Sequence, residues 1–192
     1  MAIDANGLLR IPPEERLNVY ALVIYIPDPL GGFLDDLRRE LVPGCNPHAH
    51  VSVLPPRPLP ANWHGAGAQV QALTARRQPF PVKLGDLRIF PVTNVIYIEV
   101  DEGREEFAYL HDSLNEDALI FEEPFVYHPH VTLAQEIPPD QVQPTYELAR
   151  RRWREFRGER GFLADRAAFV QNTMGNCWID LAVFGFGNGQ PK

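Results

Sequence analysis

Two short stretches of the chain, HAHVS and HPHVT, repeat one arrangement of histidine and hydroxyl side chains. In each stretch these polar residues stand at alternate positions, namely His48, His50, Ser52, His128, His130 and Thr132. Successive side chains of a β-strand point to opposite faces, so each trio shares one face if the stretch is a strand. Histidine gives or takes a proton near pH 7, and a hydroxyl group can donate a hydrogen bond to a phosphate oxygen. The pattern therefore predicts an acid–base site assembled from two strands.

The elements around the two stretches repeat as well. A β-branched and aromatic run followed by a turn predicts a strand, apolar residues at helical spacing predict a helix, and the histidine stretch then predicts a second strand. This order occurs twice, first over residues 19–26, 31–41 and 48–53 and then over residues 94–100, 105–114 and 128–133. The matched order indicates two copies of one strand–helix–strand unit. If the copies face each other across a pseudo-twofold axis, their polar faces meet in a cleft.

The rest of the chain predicts a weaker helix over residues 63–77, a helix over 141–157 and two final strands, near residues 167–173 and 177–186. The four prolines of the LPPRPLP segment, residues 54–60, predict irregular structure after the first histidine stretch. These elements predict an α+β fold with no evident linker or second module. We expect residues 1–192 to form a single two-lobed domain.

The stretches H50-V-S-V and H130-V-T-L resemble the paired motifs of the two-histidine phosphoesterase superfamily, most closely its 2′-5′ RNA ligase and cyclic phosphodiesterase branch. The resemblance covers most of the chain. It implies a two-lobed fold of antiparallel-rich sheets that line a central cleft, with helices outside. It also implies action on 2′,3′-cyclic phosphates or 2′-5′ linkages of RNA ends or small nucleotides, with reverse ligation in some members.

The chemistry required to open a 2′,3′-cyclic phosphate fits these residues. One histidine takes a proton from attacking water, and the other protonates the leaving ribose oxygen, each contributing roughly 10²- to 10⁴-fold in rate. His50 and His130 are the predicted pair, without an assignment of acid and base. Ser52 and Thr132 are the predicted donors to the non-bridging phosphate oxygens. No metal or other cofactor is needed for this scheme.

Auxiliary roles are open for several neighbouring residues. His48 and His128 either tune the catalytic pair, contact the ligand or simply begin a strand. Arg57 stands where it can meet a phosphate, and Tyr127, with Phe125, can stack on a base or belong to the core. The other two histidines, His64 and His111, fall in predicted helices without a hydroxyl partner and are expected to be structural.

Three other interpretations compete with the enzyme hypothesis. Two H-x-H pairs can supply four imidazoles to zinc, with Glu122, Glu123 and Glu136 as candidates for a carboxylate shell. A binding module without catalysis keeps the same cleft. An arginine cluster can follow an RNA backbone, although interleaved glutamates favour a solvated helix face; its members are Arg150, Arg151, Arg152, Arg154, Arg157 and Arg160.

The composition limits the partners that the chain can have. The formal net charge is −7 and the pI is near 5.3, which disfavours binding of long nucleic acid by counterion release alone. An RNA 3′ end or a small nucleotide fits better, and nothing indicates a protein partner. There is no apolar run long enough for a membrane span and no recognisable export signal, so we expect a cytoplasmic protein. The two cysteines, Cys45 and Cys177, fit a reducing compartment, with a disulfide left open.

Overall fold

The computed structural model describes residues 2–3, 9–44 and 48–187. Its strands are β1 (Ala2–Ile3), β2 (Leu9–Arg10), β3 (Arg16–Tyr25), β4 (His50–Arg57), β5 (Phe80–Ile89), β6 (Ile96–Glu102), β7 (His130–Ala134), β8 (Gly161–Ala164), β9 (Arg166–Thr173) and β10 (Trp178–Gly185). Its α-helices are α1 (Leu30–Leu41), α2 (Trp63–Thr74), α3 (Arg104–Leu114) and α4 (Val142–Glu155).

The strands form two four-stranded antiparallel sheets and one short hairpin. The first sheet has the order β10-β9-β3-β4, the second has the order β7-β6-β5-β8, and β1 pairs with β2. Each histidine stretch thus forms an edge strand of its sheet. Each lies beside the strand that precedes it in the repeated unit, β3 for β4 and β6 for β7. The predicted α+β fold with antiparallel sheets is confirmed.

The repeated unit is present in both halves of the described chain. β3, α1 and β4 form the first copy, and β6, α3 and β7 form the second. The two edge strands are neighbours, since β4 and β7 approach within 8 Å between Cα atoms. The duplication therefore brings the two histidine motifs together where the sheets meet.

A continuous apolar core lies behind the motif strands. Val51, Val53, Val131 and Leu133 are at most 1% exposed, whereas the histidine and hydroxyl residues between them are half-buried. This is the alternation expected of strands with one face in the core. The same apolar cluster includes residues of both sheets and of all four helices. Its continuity supports the single-domain interpretation, which stays a prediction for residues 1–192.

Local sequence determines where the helices begin. The side chain of Asn62 accepts a hydrogen bond of 3.1 Å from the backbone N–H of His64 and so caps α2. Gly103 precedes α3 with φ of 91°, a conformation that residues with a Cβ atom rarely adopt. That turn reverses the chain between β6 and α3 and holds the second unit compact.

One expectation for the strands was wrong, and two strands of the second sheet were not predicted. Residues 54–57 continue β4 through Pro55 and Pro56 instead of leaving the sheet. An edge strand tolerates proline because one side of it lacks a pairing strand, and the register shifts between the Tyr20 and Leu22 pairings at this point. The strands β5 and β8 were not predicted. β5 carries the alternating buried side chains of Phe80, Val82 and Leu84.

Candidate active site

The first motif begins at the start of β4. His50 pairs across the sheet with Tyr25, and Ser52 pairs with Val23. Because directly paired residues share a face, His50, Ser52 and Tyr25 belong to the face opposite the main core. Ala49 and Val51 anchor the other side of the strand at 0% exposure. The backbone N–H of Ala49 also donates a 2.7 Å hydrogen bond to Asp35 Oδ1 of α1, which fixes the start of the motif.

The second motif has the same construction on β7. His130 pairs with Glu99 and Thr132 pairs with Tyr97, so these four side chains share the face turned away from the core. The position that holds Tyr25 beside the first motif therefore holds a carboxylate beside the second. The two halves share a backbone arrangement but present different side chains to a ligand.

The same backbone contact orients both histidines. His50 Nδ1 lies 2.6 Å from the carbonyl oxygen of His48, and His130 Nδ1 lies 2.6 Å from that of His128. A carbonyl oxygen only accepts, so Nδ1 must carry the proton and donate it. In the neutral imidazole, Nε2 then has the lone pair, and it has no hydrogen-bond partner within the described part of the chain. Each ring is thus fixed with one basic nitrogen available for proton transfer.

Burial makes both imidazoles less basic than a free histidine. It lowers the pKa of His50 to about 4, and the nearby positive charges of Arg38, His48 and His130 act in the same direction. The pKa of His130 is also lowered, chiefly by burial and then by the charge of His128, against the contribution of its backbone hydrogen bond. The effect of His130 on the pKa of His50 agrees with the contact between β4 and β7. An anionic phosphate bound beside the two rings would offset both effects.

His48 forms an aromatic stack beside the first motif. Its ring is exposed and lies parallel to the ring of Tyr25, with 3.6 Å between centroids and 10° between planes. The Tyr25 hydroxyl donates a 2.7 Å hydrogen bond to Asp180 Oδ1, and burial together with this carboxylate raises the pKa of Tyr25. His48 thus remains a candidate for ligand contact.

His128 has different surroundings in the second motif. Phe90 and Tyr97 stack on each other, and each meets the His128 ring edge to face with centroids 5.5 Å apart. The same two aromatic rings also contact His130. His128 Nε2 is buried with no hydrogen-bond partner in the described ranges, and burial lowers the pKa of the imidazole. These contacts make His128 part of the aromatic packing around His130.

The structure adds charged residues to the site that the sequence analysis missed. Glu99 lies opposite His130, with Arg88 Nε 3.4 Å from its Oε2 and Arg104 Nη2 4.0 Å from its Oε1. The Glu99 carboxylate raises the pKa of His128 against the larger effect of burial. None of these residues lies near a motif in sequence, so only the register of β5, β6 and β7 brings them together. They add charge beside the second motif.

Arg57 does not have the position predicted for a phosphate ligand. Its side chain is buried, and its guanidinium donates to Glu123 Oε1, to Asn115 Oδ1 at 2.7 Å and to the carbonyl oxygens of Leu119 and Pro55. The desolvation lowers the pKa of Arg57, and Glu123 opposes this effect. The loop after the first motif was expected to expose this side chain. Instead, residues 115–123 enclose it, because β4 continues past the prolines into the protein.

Tyr127 likewise serves the protein framework and not base stacking. Its hydroxyl donates a 2.8 Å hydrogen bond to the backbone oxygen of Ser52, and its ring stacks on His111 at 4.0 Å. His111 Nε2 in turn contacts Glu123 Oε1 at 2.9 Å, the same oxygen that pairs with Arg57. A continuous set of contacts therefore links the segment before the second motif to the first motif strand. His111 is structural in this arrangement, while Phe125 is 58% exposed.

The arginine cluster of α4 is a solvated helix face. Arg150 pairs with Glu147 at 3.5 Å, and Arg152 pairs with Glu40 of α1 at 2.8 Å. Arg160 lies over the ring of Trp153 at 4.3 Å and donates to its carbonyl oxygen. Arg152 also pairs with the interleaved Glu155 at 3.5 Å, so Arg150, Arg152 and Arg160 all have partners within the protein.

Across the described ranges, no three side chains of histidine, cysteine, aspartate or glutamate are grouped as metal ligands. Cys177 is a free thiol, and Cys45 lies outside the described residues. No helix in the described part of the chain is both long and apolar enough to cross a membrane.

Comparison with known proteins agrees with this geometry. The sequence model of the 2′-5′ RNA ligase superfamily matches residues 26–176. The chain belongs to this family, the two-histidine phosphoesterases. Membership confirms the resemblance seen in the paired motifs. The matched range includes both His50 and His130.

Individual relatives are distant. A Geobacillus kaustophilus protein named as a phosphoesterase is 24% identical over 136 residues, which is 66% of this chain and 75% of that protein. The structure of Thermus thermophilus TT0787 has a TM-score of 0.65 at 15% identity, covering 90% of this chain and 100% of that one. Escherichia coli LigT, solved with 3′-AMP, has a TM-score of 0.61 at 14% identity, covering 90% and 98%. These structures share the fold.

Proposed function

We propose that this protein is a metal-independent phosphodiesterase that opens 2′,3′-cyclic phosphates or hydrolyses 2′-5′ phosphodiester bonds. Its substrates are RNA ends or small nucleotides. The observation that carries the proposal is the matched pair of histidines on neighbouring edge strands, each with Nδ1 bonded to a backbone carbonyl at 2.6 Å. Family membership supports the phosphoesterase class. The 3′-AMP complex of the LigT neighbour is consistent with a nucleotide ligand.

The reaction uses one proton on the histidine pair. The neutral histidine accepts a proton from water at Nε2 as the water oxygen attacks phosphorus. The other histidine, protonated, gives its Nε2 proton to the ribose oxygen as the P–O bond breaks, so the pair ends with its proton on the opposite ring. Ser52 and Thr132, two residues beyond the histidines on the same faces, donate hydrogen bonds to the non-bridging oxygens, where negative charge is held in the transition state.

Hydrolysis is the proposed physiological direction. The same displacement runs backwards when a 5′-hydroxyl group replaces water, so ligation needs a second RNA strand held beside the cleft. The net charge of −7 and the ion pairs that occupy the arginines of α4 do not favour such a strand. The cytoplasmic location expected from the sequence stays a prediction.

The test is to incubate the purified protein, in excess EDTA, with an oligoribonucleotide that ends in a 2′,3′-cyclic phosphate. The products carrying a 2′- or 3′-phosphate are resolved by chromatography. The His50→Ala/His130→Ala double variant is run beside the parent, with His64→Ala as a matched control, since His64 is an exposed histidine whose ring is tilted against Trp63 of α2.

We expect turnover by the parent and by His64→Ala, a single phosphate isomer as product, and none from the double variant. Turnover that appears only after zinc is added would overturn metal independence. Tight binding of a cyclic nucleotide without product would favour a binding module in place of an enzyme.

A further inference from the structure

His48 and Tyr25 form an aromatic stack whose outer surface is open. Tyr25 packs against four small side chains on the face of the first sheet away from the main core, namely Ala21, Val23, Ala168 and Val170. The other face of the Tyr25 ring is covered by the parallel ring of His48 at 3.6 Å. His48 is the outermost layer of this stack and is itself exposed. One face of the imidazole is thus packed, and the other is available.

The stack is held in place from both ends. The Tyr25 hydroxyl is bonded to Asp180 of β10, so the side chain cannot swing away without losing a 2.7 Å hydrogen bond to a carboxylate. The backbone oxygen of His48 accepts the hydrogen bond of His50 Nδ1, so the residue that carries the outer ring is tied to the catalytic imidazole. A pre-positioned aromatic surface loses little conformational freedom when a ligand stacks on it.

The spacing relates this surface to the reacting phosphate. His48 and His50 are two residues apart, roughly 7 Å along an extended chain. A ribose separates a nucleobase from its own 2′,3′-cyclic phosphate by a similar short span. The span from a phosphate at His50 to the His48 ring is therefore within reach of the base of the same nucleotide.

The second lobe offers no equivalent surface at the matching position. His128 is half-buried, and the rings of Phe90 and Tyr97 meet it edge to face. The pseudo-symmetry of the two motifs therefore does not extend to His48 and His128. This difference favours the orientation in which the base of a nucleotide lies towards His48.

From this geometry we propose that the imidazole of His48, backed by Tyr25, is the stacking platform for the nucleobase attached to the reacting phosphate. The proposal rests on the proposed phosphodiesterase function. It specifies the substrate of that function as a nucleoside phosphate in preference to a bare sugar phosphate. Any of the four bases can use the platform, because each has a π face and none needs a specific hydrogen bond there.

The test compares two substrates, adenosine 2′,3′-cyclic phosphate and the base-free 1-O-methylribofuranoside 2′,3′-cyclic phosphate. The measured quantity is the ratio of kcat/KM for the first to that for the second. Base stacking is worth about 1–3 kcal/mol, so we expect the ratio to fall roughly fivefold or more in His48→Ala. His48→Phe keeps an aromatic ring and should restore most of the ratio. His64→Ala should keep the parent ratio, since the ring of that histidine contacts Trp63 of α2 and not the motif strands.

Two results would overturn the platform. The first is a kcat/KM ratio in His48→Ala equal to that of the parent. The second is a ratio in His48→Phe as low as that in His48→Ala, which would indicate a role for the imidazole nitrogens instead of stacking. If the parent turns over neither substrate, the proposed function fails. The platform is then tested by calorimetry, which measures the binding constants of 3′-AMP and ribose 3-phosphate for the parent and the same variants. If the platform exists, the ratio of the 3′-AMP constant to the ribose 3-phosphate constant falls in His48→Ala. If the proposal is wrong, that ratio stays constant.

Discussion

The histidine pair combines a fixed tautomer with reduced basicity, and both properties follow from where the strands place the rings. The carbonyl oxygens of His48 and His128 hold the proton on Nδ1, which leaves Nε2 for chemistry. Burial then lowers the pKa of both His50 and His130. A base of low pKa is ready to accept a proton at neutral pH, whereas the acid partner needs the substrate's negative charge, or a lower pH, to stay protonated.

The pH dependence of kcat/KM follows from these pKa values. The active free enzyme carries one proton on the pair, so the rate is highest between the two macroscopic pKa values and falls on either side. With the pKa of His50 near 4 and that of His130 below the usual 6.5, we predict an optimum on the acidic side of pH 6.5 and a decline towards alkaline pH. Bound phosphate favours the protonated form, so the optimum of kcat should lie higher than that of kcat/KM. Initial rates measured across the pH range test this optimum, and circular dichroism shows whether the protein stays folded. A kcat/KM that rises up to pH 8 would contradict the prediction.

The hydroxyl residues have a separable role. Removing a hydrogen-bond donor to the charge that develops in the transition state costs about 10²- to 10³-fold in kcat in well-studied enzymes. We predict that Ser52→Ala and Thr132→Ala each lower kcat by at least tenfold, with a smaller effect on KM. Steady-state kinetics of the two variants measure this. Ser113→Ala, a hydroxyl removed from α3, is the matched control, and a kcat near that of the parent in Ser52→Ala and Thr132→Ala would exclude the proposed clamp.

At the scale of elements, the relative position of β4 and β7 depends on contacts outside the motifs. Tyr127, in the segment that leads into β7, donates to the backbone oxygen of Ser52 in β4. Its ring rests on His111, which is bonded to Glu123, and Glu123 is paired with buried Arg57. This connection acts between two edge strands that belong to different sheets.

Loss of the Tyr127 hydroxyl tests that connection. We predict that Tyr127→Phe lowers kcat several-fold with little change in KM, because the motifs lose a fixed separation while the ligand contacts remain. The free energy of unfolding should fall by about 1 kcal/mol, the typical net value of one hydrogen bond. Urea denaturation and steady-state kinetics measure the two effects. Tyr109→Phe, on the exposed side of α3, is the control, and a Tyr127→Phe enzyme that behaves like it would show that the hydrogen bond does not position the site.

Arg57 is predicted to act on stability and not on phosphate binding. Arg57→Met leaves Glu123 enclosed without its cation, and breaking a buried pair costs about 3–5 kcal/mol. Arg39→Met removes an exposed arginine paired with Asp36 and should change stability by less than about 1 kcal/mol. Chemical denaturation of the two variants distinguishes them. A stable Arg57→Met protein with a raised KM would restore the original phosphate-ligand hypothesis.

Predictability also differs among the elements. The motif strands were evident from alternation, since Val51, Val53, Val131 and Leu133 mark the core side without further information. The extension of β4 through Pro55 and Pro56 was not evident from the sequence. A strand tolerates proline when it lies at the edge of a sheet, and its place in the sheet is set by the whole fold. In β5 the alternation of Phe80, Val82 and Leu84 was present in the sequence, but Pro79 and Pro81 obscured it.

At the scale of the whole molecule, the duplication explains why two weak motifs make one site. Two copies of a strand–helix–strand unit place their histidine strands at neighbouring sheet edges, so each lobe supplies one histidine of the proposed acid–base pair. This much could be inferred from the repeated spacing. The features that distinguish the lobes could not, because Asp180 beside Tyr25, and Arg88 and Arg104 beside Glu99, meet only through strand register and long-range packing.

The central claim, one active site shared between two lobes, is tested most directly by comparing single and double histidine variants. The measurement is kcat/KM in excess EDTA for the parent, His50→Ala, His130→Ala and the double variant, with adenosine 2′,3′-cyclic phosphate as substrate. Residues that act as one unit are strongly non-additive. We predict that each single variant loses at least 10²-fold and that the double variant is little worse than either. Single variants within a few-fold of the parent, or activity recovered by zinc, would contradict the account.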